Sequence, residues 1–571
     1  MTLAAILLAT GCGSGSSSSN GDETPPKEDP MMPPDADSLN RNSSFPLTCA
    51  RPVVENPNAS QLQRLTNSQY VNTLKTLFSG IVPDGAVPQY KDLPDELKEG
   101  STFSNNVLSQ LGSDAATQAR ESATLTITGE ATRDLGKFMG CQAKDAAAEG
   151  GCVDSFIDTF GTRAWRRPLG SDEKGALKAL FTEARKAMDF APSVQTMVGA
   201  MLQAPQFLYR LQEGTGDVVA GLGKRLSDYE IASNLSYAIW NSMPDAELFD
   251  LAKKGELTSV AQIEKQALRM LDAPAARDTM LKFQREWLHA DRLETLADAN
   301  TKDKPTFPDY TLAQSSASMK GFEAFLKDAF WEGDHSLKQM FTSSKGFVND
   351  DSAALFGVKK PGSKDLVSVD LNDKERKGIL TQPFFMAGWA NDKYQSAILR
   401  GAYIMEGILC APSPPPPPGT ITKLKDVPQR NTLTQRQVVE MTVEQGSCAG
   451  CHKTIDGYGF LFDNYNAVGA YTTKDGTIDL NTSADIGEGF DKPATYENGV
   501  KFSEALATSP QTAQCFVQHM YEFVTARPPV DEDGCQIAPL TDSFLADGTD
   551  MKKLLLNVIK SPSFRYRSAA Q

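Results

Sequence analysis

A run of prolines interrupts this chain at a point that no regular helix can cross. Pro412 is followed, after one residue, by five consecutive prolines, Pro414 to Pro418. Proline lacks a backbone N–H and has a fixed φ, so such a run is confined to extended polyproline II geometry. The segment after it, which contains the CAGCH sequence, must therefore begin afresh rather than continue a preceding helix.

Helical signatures cover most of the chain from Gln61 onward. Thr66 with Gln69, and Ser227 with Glu230, each form the pattern of a capping box. A further predicted helix has apolar residues at helical spacing, namely Leu177, Leu180, Phe181, Ala184 and Met188. Strand-like alternation is confined to short stretches. The sequence predicts a mainly α, multi-domain helical assembly.

The length of 571 residues exceeds what one core supports, since domains average about 150 residues. Composition and motifs divide it into seven expected segments. These are a lipoprotein-type signal (1–12), a disordered tether (13–45), an N-terminal helical module (46–150), a helical module with RAWRRPL (151–215), a central helical module (216–360), a haem-attachment module with CAGCH (361–480) and a C-terminal helical module (481–571).

The first twelve residues, MTLAAILLATGC, are apolar and end in small residues before Cys12. This resembles the end of a bacterial lipoprotein signal, with Cys12 as the lipidation site. The following segment is rich in Ser, Pro, Asp and Asn and cannot build a core. We expect an exported, periplasmic or outer-membrane/cell-surface lipoprotein that meets the membrane through its lipid anchor only.

Charge argues against nucleic acid as a partner. The chain has 57 basic and 72 acidic side chains and a net charge of −15, which repels phosphate backbones. A basic cluster, Arg163, Arg166 and Arg167, could hold an anion, but such groups more often satisfy carbonyls or carboxylates at a helix end.

Cys448, Cys451 and His452 form the sequence CAGCH. From the composition, Cys-x-x-Cys-His is expected by chance about 0.001 times in this chain. Two thiols on one turn can form thioethers to the haem vinyl groups, and the adjacent imidazole can then ligate the iron. The motif predicts one covalently bound haem c.

Three alternatives compete with haem attachment. A zinc site would need a second Cys or His pair, and His289, His335 and His519 have no such neighbours. A thioredoxin-like pair would need a βαβ context. A plain Cys448–Cys451 disulfide would leave His452 without a role.

The sixth iron ligand has several candidates. Met520, and alternatively His519, lie on the predicted helix QTAQCFVQHMYEFVTAR, and Met441 and Met405 are less favourable choices upstream. Met520 would raise the reduction potential, His519 would lower it, and an open position would permit peroxide or oxygen chemistry. Met520 could equally well serve only to pack the core.

The other cysteines suggest disulfides, as exported chains are exposed to oxidation. Cys141 and Cys152 flank a polar loop, and Cys515 and Cys535 flank a turn, so each pair is predicted to be bonded. Cys49 and Cys410 would then pair by elimination. Free buried thiols are the alternative.

Seven stretches resemble successive modules of a secreted bacterial multi-module family of unknown function, of the domain-of-unknown-function fifteen-ninety-two type, with a C-terminal cytochrome-c-like CxxCH module. They are LQRLTNSQYVNTLKTLF, FGTRAWRRPLGSDEK, MLQAPQFLYRLQEG, RLSDYEIASNLSYAIWNSMPDAEL, GILTQPFFMAGWA, SAILRGAYIMEGILCAPSPPPPPG and CAGCHKTIDGYGFLFDNYNAVGAY. The resemblance implies a haem-attachment motif within a helical assembly of no established substrate. This chain departs from it by lacking a proline between Asp456 and Phe460, and by having Ala470 in place of an arginine.

The expected function is that of an exported c-type haem protein in electron transfer or haem-dependent oxidoreduction. Its partner would be a redox protein or a small-molecule donor or acceptor. The alternative is a surface-tethered binding or scaffold protein with a structural haem or CxxC module, which would meet a polysaccharide or another surface partner. About 370 residues precede the haem-attachment module, more than a carrier with one haem needs, and this keeps the alternative open.

Overall fold

The computed structural model describes residues 62–96, 102–107, 113–141, 145–219, 222–412, 432–443, 449–530 and 533–567. The expected signal and tether, Cys12, Cys49, the run Pro414 to Pro418 and Cys448 lie outside these ranges. Among the described helices, none is long and apolar enough to cross a membrane.

The chain forms two compact units. The N-terminal unit comprises Cys49–Lys282, Met520–Gln536 and Leu555–Gln571, and the unit with CAGCH, here the motif unit, includes Phe283–His519 and Ile537–Leu554. Each unit therefore combines segments that are far apart in sequence. Both are mainly α-helical, as the sequence predicts.

The N-terminal unit is built from helices of modest length with a few short strands. Its longer α-helices are Asn67–Leu77, Asp114–Ala131, Ala146–Phe156, Ser171–Arg185, Phe190–Gln203, Asp228–Ile239, Ala246–Lys254 and Val260–Leu271. Shorter ones are Leu135–Met139, Thr162–Trp165, Pro205–Leu208 and Pro562–Arg565.

Local signals set several helix starts in this unit. Thr66 and Gln69 form the predicted capping box before Asn67–Leu77, and Ser227 and Glu230 do so before Asp228–Ile239. Leu177 and Phe181 are buried on Ser171–Arg185. The expectation that Met188 extends this apolar face is wrong, because the helix ends at Arg185 and Met188 is 47% exposed.

Two small antiparallel sheets join distant parts of the N-terminal unit. Strand Gln63–Arg64 pairs with Tyr209–Arg210. In the other sheet, Gly223–Arg225 lies between Thr215–Val219 and Tyr566–Arg567, with Tyr566 opposite Arg225. Residues from the end of the chain thus complete a sheet begun near residue 215.

The motif unit has its own set of helices. They are Ala290–Leu296, Leu312–Trp331, Leu337–Thr342, Ala353–Phe356, Pro383–Gly388, Ala397–Tyr403, Gln435–Val443, Ala449–Phe460 and Gly499–Leu506, with a π-helical turn at Ile404–Ile408. Its strand pairs are Lys345–Val348 with Val367–Asp370, Lys474–Asp475 with Ile478–Asp479, and Ala484–Ile486 with Ala494–Tyr496. The unit boundaries fall within four helices, Pro274–Trp287, Pro510–Thr525, Gly534–Ala546 and Met551–Lys560.

Two glycines allow close packing of the helix that contains the motif. A methyl group at Gly459 would overlap the carbonyl oxygen of Ala397, and one at Gly401 would overlap that of Ile455. Helices Ala397–Tyr403 and Ala449–Phe460 are therefore in backbone contact. This contact fixes the position of the motif helix within its unit.

The disulfides agree with the predicted pattern only in part. Cys141 is bonded to Cys152, as their spacing predicts. Cys515 is bonded to Cys410, 105 positions away, so the predicted Cys515–Cys535 pair and the Cys49–Cys410 pair are both wrong. Cys535 is also disulfide-bonded. The tertiary fold brings Cys410 to the helix of Cys515, which loop spacing cannot reveal.

Candidate functional site

Residues 449–452 of the motif form the start of helix Ala449–Phe460. Cys451 is exposed and forms no disulfide among the described residues. His452 follows it, with 19% of its side chain exposed. A thiol and an imidazole are thus presented together at a helix end, where both can be reached from outside.

His452 is oriented by a carboxylate one turn further along the helix. Its Nδ1 lies 3.3 Å from each carboxylate oxygen of Asp456. When Asp456 is ionised its oxygens only accept hydrogen bonds, so Nδ1 then carries the proton and donates. The other ring nitrogen, Nε2, then has its lone pair available for a metal.

Asp456 is held beneath the motif, with 3% of its side chain exposed. Burial raises the pKa of Asp456, and the hydrogen bond from His452 opposes that shift. This pairing was missed from the sequence, although the spacing of four residues on one helix could have revealed it.

A second buried carboxyl lies just past the end of the helix. Asp463 is 1% exposed, and neither of its carboxyl oxygens has a hydrogen-bond partner in the described part of the chain. Burial raises the pKa of Asp463 to about 7, against the attraction of Arg400 and Arg436. The Arg400 guanidinium donates to the carbonyl of Phe462 at 2.7 Å and to that of Met386 at 3.1 Å.

The proposed distal ligands have other contacts in the structure. His519 Nε2 lies 3.1 Å from the carbonyl oxygen of Gly407 and 3.8 Å from Cys410 Sγ. A carbonyl only accepts, so Nε2 of His519 donates to Gly407. Met520 is fully buried and belongs to the N-terminal unit. Ligation by either residue stays a prediction.

The three arginines of the basic cluster form hydrogen bonds within the protein. Arg163 donates to the carbonyl of Thr76, and Arg167 makes two hydrogen bonds to Glu173 at 2.9 and 2.7 Å. Arg166 donates to four backbone carbonyls. These arginines are already satisfied by the protein.

Family comparisons assign most of the chain to recognised modules. Residues 152–212 match "Protein of unknown function (DUF1595)", and residues 226–358 match "Protein of unknown function (DUF1592)". Residues 376–475 and 494–564 match the families described in the same words as DUF1588 and DUF1585. These four segments are modules of unknown function. The CAGCH sequence lies within the DUF1588 match.

The chain matches neither a curated protein nor a solved structure. The four family descriptions name no cofactor and no reaction. The cytochrome-c-like character of the DUF1588 segment therefore stays a prediction, which depends on the motif and its geometry.

Proposed function

We propose that this chain is an exported c-type haem protein that acts in electron transfer or haem-dependent oxidoreduction. The observation that supports this most directly is the hydrogen bond between His452 Nδ1 and Asp456. Metal-ligating histidines nearly always donate the second ring N–H to a carboxylate or carbonyl, which fixes the tautomer. A bare CxxC disulfide would need neither His452 nor Asp456.

The residues of the motif fit covalent haem. Cys448 and Cys451 would form the two thioethers, and His452 would ligate the iron through Nε2. Two observations support this assignment: Cys451 is an exposed thiol, and Nε2 is the ring nitrogen not used by Asp456. Bound haem supplies a one-electron couple or, with an open iron position, peroxide and oxygen chemistry.

Asp456 tunes the site through His452. A carboxylate that accepts from Nδ1 increases electron donation by the imidazole and thereby stabilises the oxidised metal. Its burial excludes water from the hydrogen bond, which makes the interaction stronger than in solvent. A haem ligated by His452 would therefore have a lower reduction potential than it would if a backbone carbonyl accepted the hydrogen bond from Nδ1.

Haem staining after acid-acetone extraction tests attachment. Protein matured with a cytochrome c assembly system is expected to retain its colour, and the Cys448→Ser/Cys451→Ser double variant is expected to lose it. His335→Asn is a matched control, because His335 has a φ of 56°, which asparagine tolerates. Complete loss of colour from the unmodified protein would contradict the proposal.

Stopped-flow kinetics separate the two forms of the function. A haem-dependent oxidoreductase is expected to turn over peroxide with a reduced donor, whereas an electron carrier exchanges electrons without turnover. A scaffold protein would show neither rapid electron exchange nor turnover.

Export is supported by the disulfides, which persist in oxidising compartments. Cell fractionation is expected to place the protein with the membrane through lipid on Cys12, and Cys12→Ser is expected to release it. Recovery of the unmodified protein from the cytosol with reduced cysteines would contradict this assignment.

A further inference from the structure

The N-terminal unit contains a cavity with a mixed polar and apolar lining, and the CAGCH motif belongs to the other unit. The volume of the cavity is about 160 Å³, and its lining includes Trp165, Arg210, Gln206, Tyr229 and Ser233. A cavity of this size suits a small molecule rather than a drug-sized ligand. Aromatic, amide and hydroxyl groups together can contact both carbon and oxygen atoms of such a ligand.

Arg210 lines the cavity, and within the described ranges it forms no ion pair with a carboxylate. The residue is 6% exposed, and its Nε has no hydrogen-bond partner among the described residues. Its guanidinium lies 5.4 Å from the ring centroid of Tyr237.

The charged residues around Arg210 have hydrogen-bond partners elsewhere. Arg166 faces the same Tyr237 ring, at 5.7 Å from its centroid, and donates to backbone carbonyls. Arg167 is held by Glu173. Glu230 accepts from the backbone of Glu213, Gly214 and Ser227, so its oxygens are already in use.

A further buried cation adds to the positive field. Arg567 is 4% exposed, and its Nε has no hydrogen-bond partner within the described ranges. Burial and the charges of Arg527 and Arg210 lower the pKa of Arg567 to about 9, against the attraction of Glu230. Burial and the charge of Arg166 also lower the pKa of Arg210 to about 10, although Tyr237 opposes this. Buried charges are costly unless paired, so an anion that enters the cavity would relieve this cost.

We propose that the cavity binds a small organic carboxylate through the Arg210 guanidinium. A planar guanidinium matches a carboxylate in a bidentate geometry. Glu213 and Glu230 also line the cavity, and their charges disfavour a dianion such as phosphate. The surrounding hydroxyl and amide groups fit the hydroxyls of a hydroxy acid or sugar acid. This inference is independent of haem attachment.

Titration calorimetry of the whole protein tests the proposal, with lactate, gluconate and glucuronate as probes and with phosphate and sulfate at equal ionic strength. At least one carboxylate is expected to bind, and Arg210→Met is expected to weaken it tenfold or more. Arg210→Lys keeps the charge but loses the planar fork, so it is expected to give partial loss. Arg133→Gln is the control, because Arg133 belongs to the same unit and its side chain is 75% exposed.

Thermal unfolding distinguishes a ligand site from a structural role. Arg210→Met is expected to fold as stably as the unmodified protein or more so, because it removes an unpaired buried charge, and to lose the stabilisation by carboxylate. The proposal is overturned if no carboxylate binds, if Arg210→Met binds as the unmodified protein does, or if phosphate and sulfate bind as tightly as the carboxylates.

Discussion

Asp456 is expected to control the reduction potential of the proposed haem. Asp456→Asn keeps the size of the side chain but replaces the anionic acceptor with a neutral one, so the oxidised iron loses stabilisation and the potential rises. Spectroelectrochemical titration of the haem-loaded protein measures this. Glu488→Gln is the control, because the Glu488 carboxylate accepts an exposed hydrogen bond from Thr454 on the same helix. An unchanged potential in Asp456→Asn would contradict the role given to Asp456.

Lys302 is expected to make the stability of the motif unit depend on pH. The residue is 3% exposed, and its Nζ donates to the carbonyls of Ala387 and Asn391. Burial, and then the charge of Arg400, lower the pKa of Lys302 to about 7. Between that pH and about 10.4 the unfolded chain binds one proton more than the folded chain, so stability rises with pH.

Denaturant titrations from pH 7 to pH 10 test this dependence. The free energy of unfolding of the unmodified protein is expected to rise, relative to Lys302→Met, by up to about 1.4 kcal/mol per pH unit. Lys304→Met is the control, because Lys304 is exposed. If the free energy of unfolding changes with pH in the same way for the unmodified protein and Lys302→Met, then Lys302 is not a neutral amine in the folded protein.

At the residue scale, sequence reasoning succeeds where the chemistry is local. The grouping of Cys451 and His452 is visible in the sequence, and the four-residue spacing to Asp456 was available there too. The burial of Asp463, Lys302 and Arg210 was not, because it depends on segments that approach only after folding. A single sequence therefore does not reveal which charged side chains will be buried without an ion pair.

At the scale of helices, the contact at Gly459 is expected to be intolerant of a side chain. Gly459→Ala would force its methyl group against the Ala397 carbonyl, and overpacking of this kind costs about 1–3 kcal/mol. Gly457→Ala on the same helix is the matched control, because its nearest neighbours would lie at 3.7 Å, an ordinary contact distance. Thermal unfolding compares the two variants, and equal melting temperatures would contradict the close packing.

The elements themselves were largely predictable, but their cross-links were not. Capping boxes at Thr66 and Ser227 depend on residues three positions apart, so the sequence displays them directly. The Cys410–Cys515 bond encloses the CAGCH sequence in a loop of more than a hundred residues. Pairing cysteines that are close in sequence predicts a Cys515–Cys535 bond, and this prediction is wrong.

At the scale of the whole molecule, the last residues are expected to be required for the N-terminal unit. Phe564 is 3% exposed, Ser563 Oγ accepts from the Tyr521 hydroxyl at 2.7 Å, and Leu226 N donates to the carbonyl of Arg565 at 2.9 Å. Deletion of residues 562–571 removes these contacts and the strand Tyr566–Arg567. Loss of one buried Phe side chain alone costs about 3–5 kcal/mol.

Urea unfolding monitored in the N-terminal unit tests this requirement. The deletion is expected to lower its free energy of unfolding by at least about 3 kcal/mol. Deletion of residues 13–45, whose composition cannot build a core, is the control and is expected to leave stability unchanged. An equally stable protein after removal of 562–571 would show that the strand is dispensable.

The pairing of Tyr566 with Arg225 also has a consequence for the timing of biosynthesis. A ribosome adds about 5–20 residues per second, so on the order of half a minute passes between synthesis of the two strands. During this interval the edge of Gly223–Arg225 lacks its partner, and the nascent chain cannot complete its first unit. If the chain is exported as proposed, a translocation channel that accepts only unfolded polypeptide would have that interval in which to engage it.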